Sequence, residues 1–309
     1  MEFKHVPVML NECLQGLNLK DKGVYVDGTI GGAGHSTEIL ARTKSAKLIG
    51  IDRDTEALNV CNQRLQPYKK RVTLVHDNFK NIQAILKSLS IDKIDGMLVD
   101  LGVSSYQLDN AERGFSFRYN SKLDMRMNKE QKLSAFEVVN GYSQTQLKQI
   151  ISDYGEERFA SSIARHIVLA REKEPIVTTG QLKDIILKSV PRYKGNDGSS
   201  NVQRTFQAIR IEVNAELTGL KEFIVDAVKV LKPGGRLAIL TFHSLEDRIV
   251  KHTFRDLCTS CICPPDFPIC VCNHKAVGKL VGKMITATNQ EIKINSRSAS
   301  AKLRVIEKL

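Results

Sequence analysis

Short apolar, β-branched runs recur along the first third of the chain, each followed by a stretch with helical spacing. Residues 24–27, 48–52, 72–76 and 94–100 read as strands, and 38–43, 55–65 and 81–89 as the helices that alternate with them. That rhythm predicts an α/β fold with a parallel sheet covered by helices on both faces. After Asp100 the strand pattern stops. From about Val103 to Arg204 the apolar positions keep a helical period. A capping box, Ser134-Ala-Phe-Glu137, opens one short helix. Helices over 146–154, 157–173 and 181–190 follow, the last with Thr178-Thr179 as its N-cap signal, and Pro175 and Pro191 close two of these segments. A polar stretch at 194–201 predicts a mobile surface loop. Helical spacing resumes at 202–217 and 221–231, Lys232-Pro-Gly-Gly235 predicts a tight turn, and 237–242 predicts another strand. Residues 301–308 alternate like a last strand, expected to run antiparallel.

The pattern therefore predicts one α/β sheet domain interrupted by a helical one. Residues 1–102 form its first part, 103–204 an inserted helical domain set to recognise substrate, and 205–309 its second part with a basic C-terminal region. No internal repeat is visible.

Composition narrows the class. With 309 residues, 42% hydrophobic and 26% charged, the chain can bury a sizeable core, which excludes disorder along its whole length. No apolar run approaches the 18 or so residues of a membrane span, and the first residues show no secretion signal, so a cytoplasmic protein without a membrane partner is expected. Lys and Arg outnumber Asp and Glu by 46 to 34, a net charge of +12. Half of that excess lies after residue 272. There Lys275, Lys279, Lys283, Lys293, Arg297, Lys302, Arg304 and Lys308 face only Glu291 and Glu307. A concentrated positive field suits a phosphate backbone, although a solvated basic surface would look the same.

The strongest constellation is Tyr25-Val-Asp-Gly-Thr-Ile-Gly-Gly-Ala-Gly-His35, between the first strand and its helix. Its glycines allow close approach of a ligand to the main chain. Asp52 ends the second strand, where an acid reaches the hydroxyls of a ribose in dinucleotide-binding folds. The spacing is not G-x-G-x-x-G, so a nicotinamide cofactor fits less well. S-adenosylmethionine, which has no pyrophosphate to cradle, fits better. A tight glycine turn beside a solvated Asp52 is the bland alternative. Asp77-Asn78-Phe79 and Asp100-Leu-Gly-Val-Ser-Ser-Tyr-Gln107 follow the third and fourth strands, where further contacts are expected.

These strings resemble the ribosomal RNA small subunit methyltransferase H family of bacteria. The similarity runs through His5-Val-Pro-Val-Met-Leu10, Asp27-Gly-Thr-Ile-Gly-Gly-Ala-Gly-His35, Asp100-Leu-Gly-Val-Ser-Ser105, Arg113-Gly-Phe-Ser-Phe117 and Leu123-Asp-Met-Arg-Met127. It continues through Tyr154-Gly-Glu-Glu157, Thr241-Phe-His-Ser-Leu-Glu-Asp-Arg248 and Ser300-Ala-Lys-Leu-Arg-Val305. The resemblance implies a class I, Rossmann-like methyltransferase that modifies the exocyclic N4 amine of a cytidine in the decoding centre of 16S rRNA. It implies that 16S rRNA or the small ribosomal subunit is the partner. It also implies that Ala33, Gly34, His35, Asp52, Phe79, Asp100 and Gln107 contact S-adenosylmethionine. Tyr106 and Ser296 stand where a proline is common in the family.

The cytosine amine is a poor nucleophile, so its methylation depends chiefly on close, in-line approach. A carboxylate beside it would hold an N–H. Asp100 is the catalytic candidate by position, although the string Asp-Leu-Gly-Val lacks the diproline common at this strand end in amino-methyltransferases, so Asp100 could serve cofactor binding instead. The base must leave its stack. Tyr106, Arg113, Phe115, Phe117 and His243 are candidates to receive it, with Phe115 and Phe117 equally readable as core anchors. Arg204 and Arg210 could reach phosphate from a helix whose Phe206, Ile209 and Val213 read as core.

Five of seven cysteines, Cys258, Cys261, Cys263, Cys270 and Cys272, crowd one segment, followed by His274 and stiffened by Pro264, Pro265 and Pro268. The set has ligands enough for a tetrahedral zinc ion. A reduced segment holding no metal fits the spacing as well, and no metal is assigned from sequence. Nothing in the sequence bears on oligomeric state.

Overall fold

The computed structural model describes residues 7–191, 197–264 and 269–309. His5 and Val6 of the first family string, residues 194–196 of the expected loop, and Pro265 and Pro268 lie outside the described residues. Two compact units divide the chain: Met1–Gly102 with Thr218–Leu309, and Val103–Leu217.

The first unit opens with α1 (Leu10–Leu17), then alternates β1 (Val24–Asp27), α2 (Gly34–Ala41), β2 (Lys47–Asp52), α3 (Thr55–Arg64), β3 (Val72–His76), α4 (Ile82–Ser88) and β4 (Ile94–Asp100). β1, β2 and β4 are buried along nearly their whole length, which is why their sequences are continuous apolar runs. β3 is only partly buried, as suits an edge strand. The four strands are parallel, with β1 between β2 and β4.

The second unit holds α5 (Ser105–Asp109), α6 (Ala135–Gly141), α7 (Gln144–Gly155), α8 (Ala160–Arg171), α9 (Thr179–Ser189) and α10 (Ser199–Asn214). Ser134 and Glu137 form the expected capping box, and Thr178 caps α9 through Gln181 N–H. Its core gathers Leu147, Ile151, Ile163, Ile167, Leu182 and Ile209 from these helices, one apolar stripe from each. The return to the sheet expected at residue 205 is not where the units divide. α10 runs unbroken across that position and buries Phe206, Ile209 and Val213 in the helical core, so the unit extends to Leu217.

The first unit resumes with α11 (Leu220–Val230), β5 (Leu231–Thr241), α12 (Ser244–Cys258), β6 (Gly278–Leu280), β7 (Ile285–Thr286), α13 (Asn289–Ile294) and β8 (Lys302–Lys308). The turn expected at Lys232–Gly235 is instead a bulge within β5. Leu231 pairs Ile94 while Arg236 pairs Gly96, so the intervening residues loop out of the ladder without ending the strand. β8 runs antiparallel to β5, and the sheet order is β3-β2-β1-β4-β5-β8-β6, with β7 also paired to β8. This is the Rossmann-like α/β sheet expected from the sequence. Helix faces close it on both sides: Phe223, Ile224 and Phe254 pack with Met97 and Ile239, and Leu14, Ile39 and Leu40 pack with Leu48 and Leu98. Among the described residues no helix is long and apolar enough to cross a membrane.

Candidate active site

The strand order reverses at β1, where β2 leaves on one side and β4 lies on the other. Ligands of open α/β sheets bind at the carboxyl ends of strands at such a point. Register fixes what is there. Asp27, the last residue of β1, pairs with Gly50 of β2 and Leu98 of β4. Asp52 and Asp100 therefore lie two residues further along the neighbouring strands, one on each side of Asp27.

The glycine loop is shaped by its own neighbours. Gly31 has φ 48 and Ala33 φ 59, both left-handed, and the latter is an uncommon conformation for a residue with a side chain. Ala33 is the N-cap of α2 and has no side chain with which to cap it. A methyl group at Gly34 would overlap Pro7, so only glycine lets the N-terminal segment lie this close. Cys61 donates its thiol hydrogen to Gly31 O at 2.9 Å, and Arg64 Nη1 donates to Gly32 O at 2.6 Å. α3 thus fastens the loop from outside. The loop motif alone could not reveal this.

The acids differ in role. Asp52 Oδ2 accepts the Gly31 N–H at 2.8 Å and Oδ1 accepts the Asp54 N–H at 2.9 Å, while burial raises its pKa. Asp27 accepts from Ser36 Oγ at 2.6 Å and from the Thr29 N–H at 3.2 Å, yet burial still pushes it up to about 6. Asp100 has the least support. Its backbone N–H donates to Thr29 Oγ1 at 2.7 Å, but its Oδ1 is buried with no hydrogen-bond partner among the described residues. Burial, then the charges of Asp27 and Glu246, push Asp100 up to about 8. Three carboxyl groups at one sheet edge, with one oxygen unsatisfied, disfavour an anionic ligand and favour a cationic one.

Other expected residues are placed differently. His35 is buried, with Nε2 3.0 Å from Val8 O, so its ring ties the N-terminal segment to α2. Phe79 is 9% exposed and meets Phe223 edge-on at 4.7 Å between centroids, so most of the ring belongs to the core. The His243 side chain is largely buried just beyond β5, its Nε2 3.1 Å from Glu246 Oε1. Glu246, which the sequence reading missed, accepts the Phe242 N–H at 2.9 Å and so helps open α12.

In the helical unit, Gln107 is buried and its side-chain oxygen accepts the Ser104 N–H at 3.1 Å, half of a capping box for α5. The structure contradicts two of the proposed base-receiving residues. Arg113 is buried and donates to Arg126 O and Met127 O at 2.9 and 3.1 Å, which fixes a loop of the helical unit and withdraws it from phosphate. Phe115 is 6% exposed within the helical core, with no free face for stacking. Phe117 is half-buried edge-on to Phe206, and Tyr106 is 50% exposed. Arg204 and Arg210 are ion-paired to Glu157 and Glu216 at 2.7 and 2.9 Å, which draws both from the role suggested for them.

The basic C-terminal region is partly neutralised from within. Lys302 and Arg304 pair with Asp247 at 3.3 and 2.7 Å, and Lys279 pairs with Glu307 at 2.9 Å. Lys275, Lys283 and Lys293 stay exposed.

The sequence profile of the MraW methylase family matches residues 2–309. The chain belongs to the MraW methylase family. A protein of Clostridium botulinum strain Kyoto, named ribosomal RNA small subunit methyltransferase H, is 53% identical over 311 aligned positions that cover 100% of both chains. A protein of Lachnospira eligens with the same name is 50% identical and covers 100% of this chain and 99% of its own. A solved structure of an rRNA methylase from Streptococcus thermophilus aligns with 100% of this chain and 99% of its own, at 15% identity and a TM-score of 0.42. The family strings fall on structurally explicable positions of this MraW-family chain. Asp247 of the string 241–248 grips Arg304 of the string 300–305, and Glu157 of the string 154–157 grips α10.

Proposed function

We propose that this protein is an S-adenosylmethionine-dependent methyltransferase that modifies the exocyclic N4 amine of a cytidine in 16S rRNA, acting in the cytoplasm on the small ribosomal subunit or its rRNA. The observation that carries the reading is the acidic edge formed by Asp27, Asp52 and Asp100, where a buried carboxylate oxygen of Asp100 has no hydrogen-bond donor among the described residues. Such an edge suits a ligand bearing positive charge and repels a pyrophosphate. Family membership and the names of the full-length relatives supply the substrate class.

S-adenosylmethionine supplies an electrophilic methyl group on a cationic sulfur. The left-handed turn at Gly31–Ala33 and the uncapped start of α2 would hold its carboxylate end. Asp52 would accept from ribose hydroxyls through lone pairs that Gly31 and Asp54 leave open. Asp100 would offset the positive charge and accept an N–H of the cytosine amine, orienting the nitrogen lone pair along the line of transfer. In the transfer the N–C bond forms as the C–S bond breaks, and the amine proton departs to Asp100 or to water. Within the helical unit, exposed Tyr106 and half-buried Phe117 are the aromatic candidates for stacking on RNA bases.

The test is mass spectrometry of 16S rRNA from cells with and without the gene, paired with calorimetry of S-adenosylmethionine binding. Loss of one N4-methylcytidine on deletion, restored by the purified protein and cofactor, is the expected result. An rRNA modification pattern unchanged by deletion would overturn it.

A further inference from the structure

Among the described residues between α12 and β6 none is buried. In Cys261-Ile262-Cys263 and Ile269-Cys270-Val271-Cys272 the thiols converge, while the apolar residues between them stay exposed to solvent. Ile262, Ile269 and Val271 are 65%, 74% and 65% exposed. Cys261 and Cys270 are exposed as well, and Cys263 and Cys272 only partly buried, so burial of apolar surface does not account for the meeting of the four thiols.

Geometry identifies the class of occupant. The Sγ atoms of Cys261, Cys263, Cys270 and Cys272 all lie within 4.8 Å of one another. Cys261 to Cys270 is 3.4 Å, Cys270 to Cys272 3.5 Å, Cys272 to Cys261 3.8 Å and Cys263 to Cys270 4.0 Å. A zinc ion with Zn–S bonds of about 2.3 Å at the centre of a tetrahedron sets its sulfurs about 3.8 Å apart. A disulfide needs about 2.05 Å, and none of these pairs is bonded. Backbone N–H groups also aim at the sulfurs. Those of Cys263, Val271, Ile262 and His274 donate to Cys261, Cys263, Cys272 and Cys272, at 3.4 to 3.5 Å. Such donors offset the negative charge of thiolates around a divalent ion. Cys258 takes no part. It ends α12 and packs against the sheet core, which removes it from the ligand set that spacing alone allowed.

We propose that Cys261, Cys263, Cys270 and Cys272 bind one structural zinc ion that closes the excursion between α12 and β6. Four thiolate ligands saturate the tetrahedron and leave no open position for substrate, so the ion serves folding. It pins a segment that starts at Cys258 and returns to the end of α12 where Val277 N–H donates to Leu257 O at 2.9 Å, just before β6. This site is independent of the methyl-transfer reading.

The test is metal content by inductively coupled plasma mass spectrometry on full-length protein purified under reducing conditions without a metal-affinity column. About one zinc per chain is expected after dialysis. Cys261→Ser and Cys270→Ser should each lose most of it, and Cys258→Ser should keep it. Circular dichroism and S-adenosylmethionine affinity unchanged in the serine variants would show that the sheet persists. Cobalt(II) should give the visible absorption of a tetrahedral tetrathiolate in the parent and not in Cys261→Ser. Protein free of zinc, iron in its place, disulfides among the four cysteines, or zinc retained in Cys261→Ser would each overturn the proposal.

Discussion

Asp52 Oδ2 and the backbone N–H of Gly31 are joined by a 2.8 Å hydrogen bond across 21 positions of sequence. The carboxylate proposed to meet the cofactor ribose thus also sets the loop against which the cofactor would lie. Asp52→Asn keeps the shape and at least one acceptor, but puts a donor where one of the two N–H groups now points. S-adenosylmethionine affinity by calorimetry should fall about tenfold or more, ~1.4 kcal/mol, while the melting temperature drops by only a few degrees. Unchanged affinity would remove Asp52 from the site.

The buried acids make the free protein sensitive to pH. Asp27 at about 6 and Asp100 at about 8 keep their protons in the folded chain where the unfolded chain, with carboxyls near 4, has lost them. Their contribution to stability is therefore complete below about pH 4 and is lost as pH rises through about 6 and then about 8. Asp100→Asn should flatten the upper part of this decline and raise the melting temperature at pH 8.5 relative to the parent. A cationic ligand prefers ionised Asp100, so S-adenosylmethionine should bind more tightly as pH rises from 6.5 to 8.5, and that slope should disappear in Asp100→Asn. Parallel slopes in both proteins would count against the assignment.

Glu157 sits fully buried in the helical unit, accepting from Asn201 Nδ2 at 3.0 Å, Arg204 Nε at 2.7 Å and the Phe159 N–H at 2.9 Å. Glu157→Ala leaves these donors without their acceptor. Because Arg204 is partly exposed and water can rescue it, a loss of about 2–4 kcal/mol is expected rather than the full cost of breaking a buried pair. Denaturant unfolding reads it, and a loss under about 1 kcal/mol would show the clamp to be dispensable.

Phe115 and Tyr106 should separate packing from recognition. Phe115→Ala should cost about 3–5 kcal/mol of stability. Tyr106→Ala should leave stability nearly unchanged while weakening binding to the rRNA substrate, measured by filter binding. Equal stability losses would contradict the burial that distinguishes them.

Exposed Lys275, Lys283 and Lys293 lie in the last segment, and no ion pair of theirs with a described residue is seen. Replacing all three with glutamine should reduce the slope of log affinity against log salt for rRNA by about 1 per contacting lysine. An unaltered slope would place the RNA elsewhere.

Most strands and the acidic strand ends were legible in the sequence, because strands buried on both faces must be apolar and the chain must turn where a polar residue interrupts them. Asp27, Asp52 and Asp100 stood out for that reason. Tertiary partners were not legible. Arg113 beside two phenylalanines has the look of an RNA contact, and only the fold shows its guanidinium spent on the carbonyls of Arg126 and Met127. Cys61 and Arg64 gave no local sign that they fasten Gly31 and Gly32. The Lys232–Gly235 bulge carries ordinary turn chemistry, so composition could not tell a strand interrupted by an outward kink from one that ends.

β8 has a consequence for how the molecule assembles. It is the latest of the strands in sequence, yet it lies between β5 and β6 and also supplies the partner of β7. β6 and β7 have to wait for it. During synthesis the exposed edge of β5 would stay unsealed until β8 has left the ribosome, a window in which aggregation or capture by a chaperone competes with pairing.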